Sequence, residues 1–344
     1  MTAIQQEFPL EKKLDQNLRR DFGPARGKSI FANYVQARDC LSTDILRYIV
    51  GREPSLTDHG VDHIRNVLEN VELLLQSDIK ELNAVELYVL VISVLFHDVG
   101  NLFGRKNHHK KIGDIYEYVR HSDSQFSQEK CLVIKIASAH TGEALDGSND
   151  TLNDLQDSDN LYGKQVRSRT LAAILRLADE LAEGEHRTSK YIVKAHGFSK
   201  ESRIFHDYAL VTSVHPDRGN GRLMLTYNLR LQARKGKVLS SNRGKFVRLM
   251  NFAYGRIVKL DEERKYTKHY APLLEPYKRT SVHFNFHLDS SLHDLDIGDL
   301  TLSDKIIPGE NPPNMTKLFP QCEPSKLWQR LSQIKLNPAV VRLR

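Results

Sequence analysis

Cysteine is scarce in this chain of 344 residues: there are three, Cys40, Cys131 and Cys322, far apart and in no CxxC spacing. That excludes a disulfide framework and a thiolate zinc site, and a reducing, cytoplasmic setting is expected. Long apolar runs are missing too. The longest, residues 87–96, is broken only by Ser93 and reaches about half of what a bilayer span needs. The opening MTAIQQEFPLEKKLDQ has no basic segment followed by an apolar core, so neither a secretory signal nor a membrane partner is expected. No internal repeat and no GxxxxGKS or GxxxxGKT phosphate loop occurs.

What is present fits a soluble globular protein, with 40% hydrophobic and 27% charged residues. The net charge of +7 hides an asymmetry. Residues 1–183 hold 22 Lys and Arg against 28 Asp and Glu, whereas residues 184–344 hold 28 against 15. The basic excess belongs to the second half.

Apolar spacing predicts helices through most of the first half. Thr57 is placed to cap a helix carrying Val61, Ile64, Val67, Leu68, Val71, Leu74 and Leu75. Leu87, Leu90, Val91, Val94 and Leu95 mark a second. Ile112, Ile115, Tyr116 and Val119 mark a third, Leu132, Val133, Ile136 and Ala137 a fourth, and Leu171, Ile174, Leu175 and Ala178 a fifth. Near residue 190 the pattern changes: 191–195, 204–214, 222–231 and 280–288 alternate as strands do, and 244–266 again reads as helix. The expected organisation is an arm or loose first helix over 1–28, a helical domain over 29–189, a basic α+β domain over 190–290, and a tail over 291–344 with a short helix near 328–334.

His97 is followed at once by Asp98, and the same dipeptide recurs at His206-Asp207 and His293-Asp294, where about one is expected by chance. Position separates them. Continued past its last aliphatic residue, the second helical stripe arrives at Asp98 and the fourth at His140. The fifth arrives at Asp179, the third runs back to His109, and His63 flanks the first. Five helices thus point ionisable groups inward. Buried carboxylates and imidazoles need a shared partner, and a divalent cation is the simplest one: Mn, Fe, Co, Ni, Zn or Mg suits such oxygen and nitrogen donors.

The order His63, His97-Asp98, Asp179, set in DHGVDHIRNV, LFHDVGN and ILRLADELAE, resembles the H...HD...D signature of the HD superfamily of metal-dependent phosphohydrolases, over residues 40–185. The resemblance implies a mainly α fold, an HD-type helical bundle followed by the smaller α+β domain. It also implies one metal held by His63, His97, Asp98 and Asp179. HKKIG at His109 and ASAHTG at His140 resemble the further histidine elements of dinuclear members, in which Asp98 would bridge two ions. Hydrolysis of a nucleotide or related phosphoester by a water that the metal activates is the implied reaction.

Asn101 stands where cyclic dinucleotide phosphodiesterases of the HD-GYP group carry lysine and where dNTP triphosphohydrolases carry histidine, and no GYP element follows His140. The substrate branch therefore stays open. Arg105, Lys106, Lys111, Arg176 and Arg187 are the candidate phosphate-binding groups. Asp98, Arg105 and Lys111 are candidates for the chemistry, with His108 as a proton donor to the leaving group. Between residues 218 and 268 lie 14 Lys and Arg against 3 Asp and Glu, interleaved with Tyr227, Phe246, Phe252, Tyr254 and Tyr266. That pattern raises the alternative of a nuclease acting on single-stranded DNA, RNA or oligonucleotides, and a separate alternative is a non-catalytic nucleotide-sensing protein that keeps the fold. A homo-oligomer is compatible with either.

Overall fold

Helix formation in the first half follows the apolar spacing. The computed structural model describes residues 7–52, 57–106, 108–195, 197–234, 237–289, 291–304 and 314–334. The chain divides into two units, Met1–Ala182 with Tyr266–Pro276, and Glu183–Lys265 with Tyr277–Arg344.

In the first unit, α1 (Glu11–Phe22) and α2 (Pro24–Leu41) meet at Gly23, with Pro24 at the first helical position, where its missing N–H costs nothing. Over its described part the expected arm or loose helix is a packed helix. Leu14 and Leu18 are fully buried. A Cβ on Gly27 would lie 2.6 Å from the Arg19 backbone, so only glycine lets the two helices approach this closely. Arg38 also reaches back to Glu11 at 2.7 Å. A π-helical turn (Ser42–Leu46) leads into α3 (Arg47–Arg52).

The next helix, α4 (Val61–Leu75), is preceded by an extended Gly60 without a side-chain cap, which corrects the start expected at Thr57. Then comes α5 (Ala84–Phe96), opened by a capping box between Asn83 and Glu86 and buried on all sides. With the 3-10 turn after it, Ala84–Phe103 is apolar and long enough to cross a membrane by length and composition. Inside the protein 94% of its most apolar stretch is buried, as in a core helix. Three more helices complete the bundle: α6 (Ile112–Val119), α7 (Ser127–Ser138) and α8 (Ser168–Glu180). A hairpin of β1 (Asp159–Leu161) and β2 (Lys164–Val166) precedes α8.

Glu129 on α7 sits in the core and is fully hydrogen-bonded. It accepts from Tyr88 and Tyr116 at 2.6 Å, from Tyr162 at 3.1 Å and from Arg120 at 2.6 Å. Four side chains are tied to one carboxylate.

The second unit is α+β. It begins with α9 (Lys190–Lys194) and α10 (Arg203–Val211), both expected as strands. The reason is visible on α10: His206, Asp207, Tyr208 and Ala209 are consecutively buried, which a one-faced strand cannot do. Next come β3 (Thr212–Asp217), β4 (Arg222–Leu231), a small pair β5 (Ala233–Arg234) and β6 (Lys237–Val238), and α11 (Arg243–Tyr270), whose last residues belong to the first unit. The chain continues through β7 (Arg279–Leu288), β8 (Ser291–His293), β9 (Leu300–Ser303), α12 (Met315–Leu318) and α13 (Pro324–Gln333).

The sheet runs β3-β4-β7-β8, with β9 also on β7. The β4–β7 pair is parallel, so a crossover is required, and α11 lies in it. The expected tail is thus part of this unit: β8 and β9 complete the sheet, and Trp328 of α13 packs on Phe246. The proline-containing stretch at 305–313 lies outside the described residues.

Candidate metal centre

The ligand-bearing side chains reach the core from different elements. His63 sits in the first turn of α4 and is fully buried. His97 is the C-cap of α5, and Asp98 leaves helical geometry at φ −110°, turning the chain into a 3-10 helix (Val99–Phe103). His140 follows the end of α7, and Asp179 lies in the last turn of α8. Gly100 is required by a close approach: a Cβ there would fall 1.9 Å from the His108 carbonyl oxygen. That contact seats the second 3-10 turn, His108–Lys111, against the His97-Asp98 corner.

Asp98 divides the cluster. Its Oδ2 lies 3.5 Å from His63 Nε2 and 3.4 Å from His97 Nε2, and Asp179 Oδ1 closes that side at 3.2 and 3.6 Å from the same two nitrogens. Its Oδ1 faces the other way, 3.3 Å from His108 Nε2 and 3.6 Å from His140 Nε2. Two sets of donors, His63/His97/Asp98/Asp179 and Asp98/His108/His140, each converge to within 4.8 Å.

The tautomers follow from the backbone. His97, His108 and His140 each place Nδ1 on the carbonyl three residues back, at 2.8, 3.0 and 2.5 Å. A carbonyl only accepts, so Nδ1 carries a proton and Nε2 is the nitrogen through which each ring can bind a cation in the cluster. His108 and His140 thereby bring two Nε2 atoms to 3.3 Å. Among the described residues, the Nε2 atoms of His63 and His97 are buried without a hydrogen bond of good geometry. Imidazole Nε2 atoms converging on carboxylate oxygens are the donor set that a divalent cation satisfies.

Where no cation sits between them, a proton on an imidazole nitrogen takes its place beside the carboxylates. Burial pushes the Asp98 carboxyl up, but His97, His59 and the hydrogen bonds of His108 and His140 outweigh it and hold it well below the usual carboxylate range. Asp179 is likewise pushed up by burial and held well down by His63 and His97. Burial lowers the His97 imidazole, yet Asp98 and Asp179 more than compensate and raise it.

One expected ligand is displaced. His108, expected as a proton donor, occupies the place expected for His109. The ring of His109 packs instead over Gly142, whose Cβ would lie 3.2 Å from its Cε1. The α-helical phase of α6 does not extend back through a turn with three residues per turn. His59, which the helical pattern leaves out, contacts Asp98 Oδ2 through Nδ1 at 2.7 Å. Its one sequence signal is the four-residue spacing to His63.

Of the cations, Arg105, Lys106 and Lys111 are exposed on the segment that starts at Asp98, and Lys111 pairs with Asp114 at 3.2 Å. Arg176 turns inward to the Thr151 hydroxyl at 2.9 Å. Arg187 is buried in the second unit. Asn101 is buried, with no hydrogen bond to its Oδ1 among the described residues. The other two His-Asp dipeptides join no such cluster among the described residues. His206, expected on a strand, lies on α10, stacks on Phe198 and meets Thr188, while Asp207 pairs with Lys245.

A family model described as HD-CE matches residues 53–227, just over half of the chain, a span that holds all six clustered side chains and runs on into β4. No curated protein and no solved structure matches.

Proposed function

The chain belongs to the HD-CE family of HD-type domains, and from that premise we propose that it is a metal-dependent phosphohydrolase acting on a nucleotide or related phosphoester. The observation that carries the reading is Asp98, whose two carboxylate oxygens face two separate groups of imidazole nitrogens. Divalent ions bound by these residues would lower the pKa of water towards neutrality and polarise a phosphoryl oxygen. The protein's own part is positional. His63, His97, Asp98 and Asp179 define the first site, His108 and His140 with Asp98 the second, and His59 holds Asp98 Oδ2.

Asp179, 24% exposed, opens the first site towards solvent. Arg105 and Lys106 have no acidic partner among the described residues, and Phe103 beside them is 65% exposed. Together they suit a substrate with a further phosphate and a flat ring. The strand-cutting alternative has less support. Tyr227, Phe246 and Tyr254 are buried in the core of the second unit rather than offered as a stacking surface, and Arg222, Lys245, Arg256, Arg264 and Lys265 pair with acidic side chains of that unit.

The test is a screen of nucleoside mono- and triphosphates, cyclic nucleotides and labelled oligonucleotides against several divalent ions, read as phosphate or nucleoside release. Replacing His97 and Asp98 together by alanine is expected to abolish turnover while the circular dichroism spectrum stays native. Full activity in that variant overturns the proposal, and cleavage confined to oligonucleotides favours the nuclease.

A further inference from the structure

The segment after α7 carries His140 and then runs through residues 141–158 before β1 begins. A loop of that length does not by itself fix a ligand to the precision a metal needs. Three side chains outside the cluster supply the constraint. Thr151 Oγ1 donates to the Ala139 carbonyl at 2.6 Å, and Arg176 Nη1, three residues before Asp179 on α8, donates to Thr151 Oγ1 at 2.9 Å and to the same carbonyl at 3.4 Å. That carbonyl belongs to the planar peptide leading into His140, so holding it orients the backbone of His140. The ring is fixed at its other end by Nδ1 on the Ala137 carbonyl.

Tyr266, in the last turn of α11, pins both neighbours of Thr151. Its hydroxyl donates to Asp150 Oδ1 at 2.8 Å and accepts from the Leu152 amide at 2.9 Å, and the Arg176 guanidinium lies 4.7 Å over its ring. Tyr270 adds a bond to Asp150 at 2.9 Å. Burial, with Asp150 adding to it and the Leu152 amide opposing, pushes the Tyr266 phenol up to about 12, so its hydroxyl stays a donor.

We infer that Arg176, Thr151 and Tyr266 form a brace that positions His140 and so sets whether the second site, Asp98/His108/His140, binds an ion. Arg176 is on this reading a positioning residue and not a substrate contact. The inference rests on the paired-metal reading above. Partners behind metal ligands commonly affect affinity by about 10–100-fold.

The test titrates the full chain, stripped of metal, with Mn²⁺ and reads the number of ions bound and their affinities. Wild type is expected to bind two ions. Thr151→Val and Arg176→Met are expected to weaken one of the two by about 10-fold or more and leave the other unchanged, with Arg176→Lys recovering part of the loss. Thr151→Val keeps the side-chain shape, so it answers the question if Arg176→Met does not fold. Two ions at wild-type affinity in both variants overturn the brace and leave the metal reading standing. A wild-type chain that binds fewer than two ions overturns the paired-metal reading and the brace with it.

Discussion

Three histidines of the cluster solve the same problem in the same way, each giving its Nδ1 proton to the carbonyl of residue i−3 and leaving Nε2 for the centre. For His108 this depends on Gly100, because the turn that carries the histidine rests on it. Gly100→Ala is expected to cost about 1–3 kcal/mol of stability, the usual penalty for overpacking, and to weaken metal binding at the second site first. Thermal denaturation together with Mn²⁺ titration checks this, and an unchanged melting temperature with two ions bound would contradict it. Most of these residues were legible because an α-helical stripe leads to them: Asp98, His140 and Asp179 continue runs of aliphatic residues. The α-helical stripe points to His109 in place of His108, because the turn that holds them is 3-10 helix. His59 lies before α4 begins, where no periodicity applies. The structural role of Arg176 was invisible in sequence, since its partners Thr151 and Tyr266 are 25 and 90 positions away.

At the scale of elements, the bundle is organised around polar contacts as well as apolar ones. Glu129 draws Tyr88 of α5, Tyr116 of α6, Arg120 and Tyr162 onto one carboxylate. Removing one partner of a buried charge pair leaves the other charge uncompensated, so Glu129→Leu is expected to destabilise the protein by about 3–5 kcal/mol. Urea denaturation measures it, and a loss below about 1 kcal/mol would show that the network is dispensable. Helices of the first unit were read from sequence because their apolar stripes are long. In the second unit, 191–195 and 204–211 are short and β-rich in composition, and there tertiary burial overrides local preference, whereas 212–214 form the start of β3 as expected. The packing of α1 has a different cause: it depends on the backbone approach at Gly27, which no hydrophobic pattern reports.

For the whole molecule, the span that identifies the family is not a self-sufficient piece. Residues 53–227 omit α1 and α2, whose Leu14, Leu18 and Tyr34 are fully buried, and omit Tyr266. They also end before β7, the strand at the centre of the second sheet. A fragment of residues 53–227 is accordingly expected to lack a cooperative thermal transition and to bind fewer than two ions, whereas the full chain melts cooperatively. Sharp melting of the fragment with two ions bound would refute this.

The return of residues 266–276 to the first unit also sets a timetable. During synthesis, residues 7–182 are complete while the 83 residues Glu183–Lys265 are still to be made, an interval of roughly 4–17 s at ordinary translation rates. Through that interval every clustered side chain has already been made, but Tyr266 has not, and the segment behind His140 is held by Thr151 and Arg176 without the third member of the brace. The nascent chain would acquire its first ion site before its second, and so pass through a stage at which it can take up metal but lacks the paired centre.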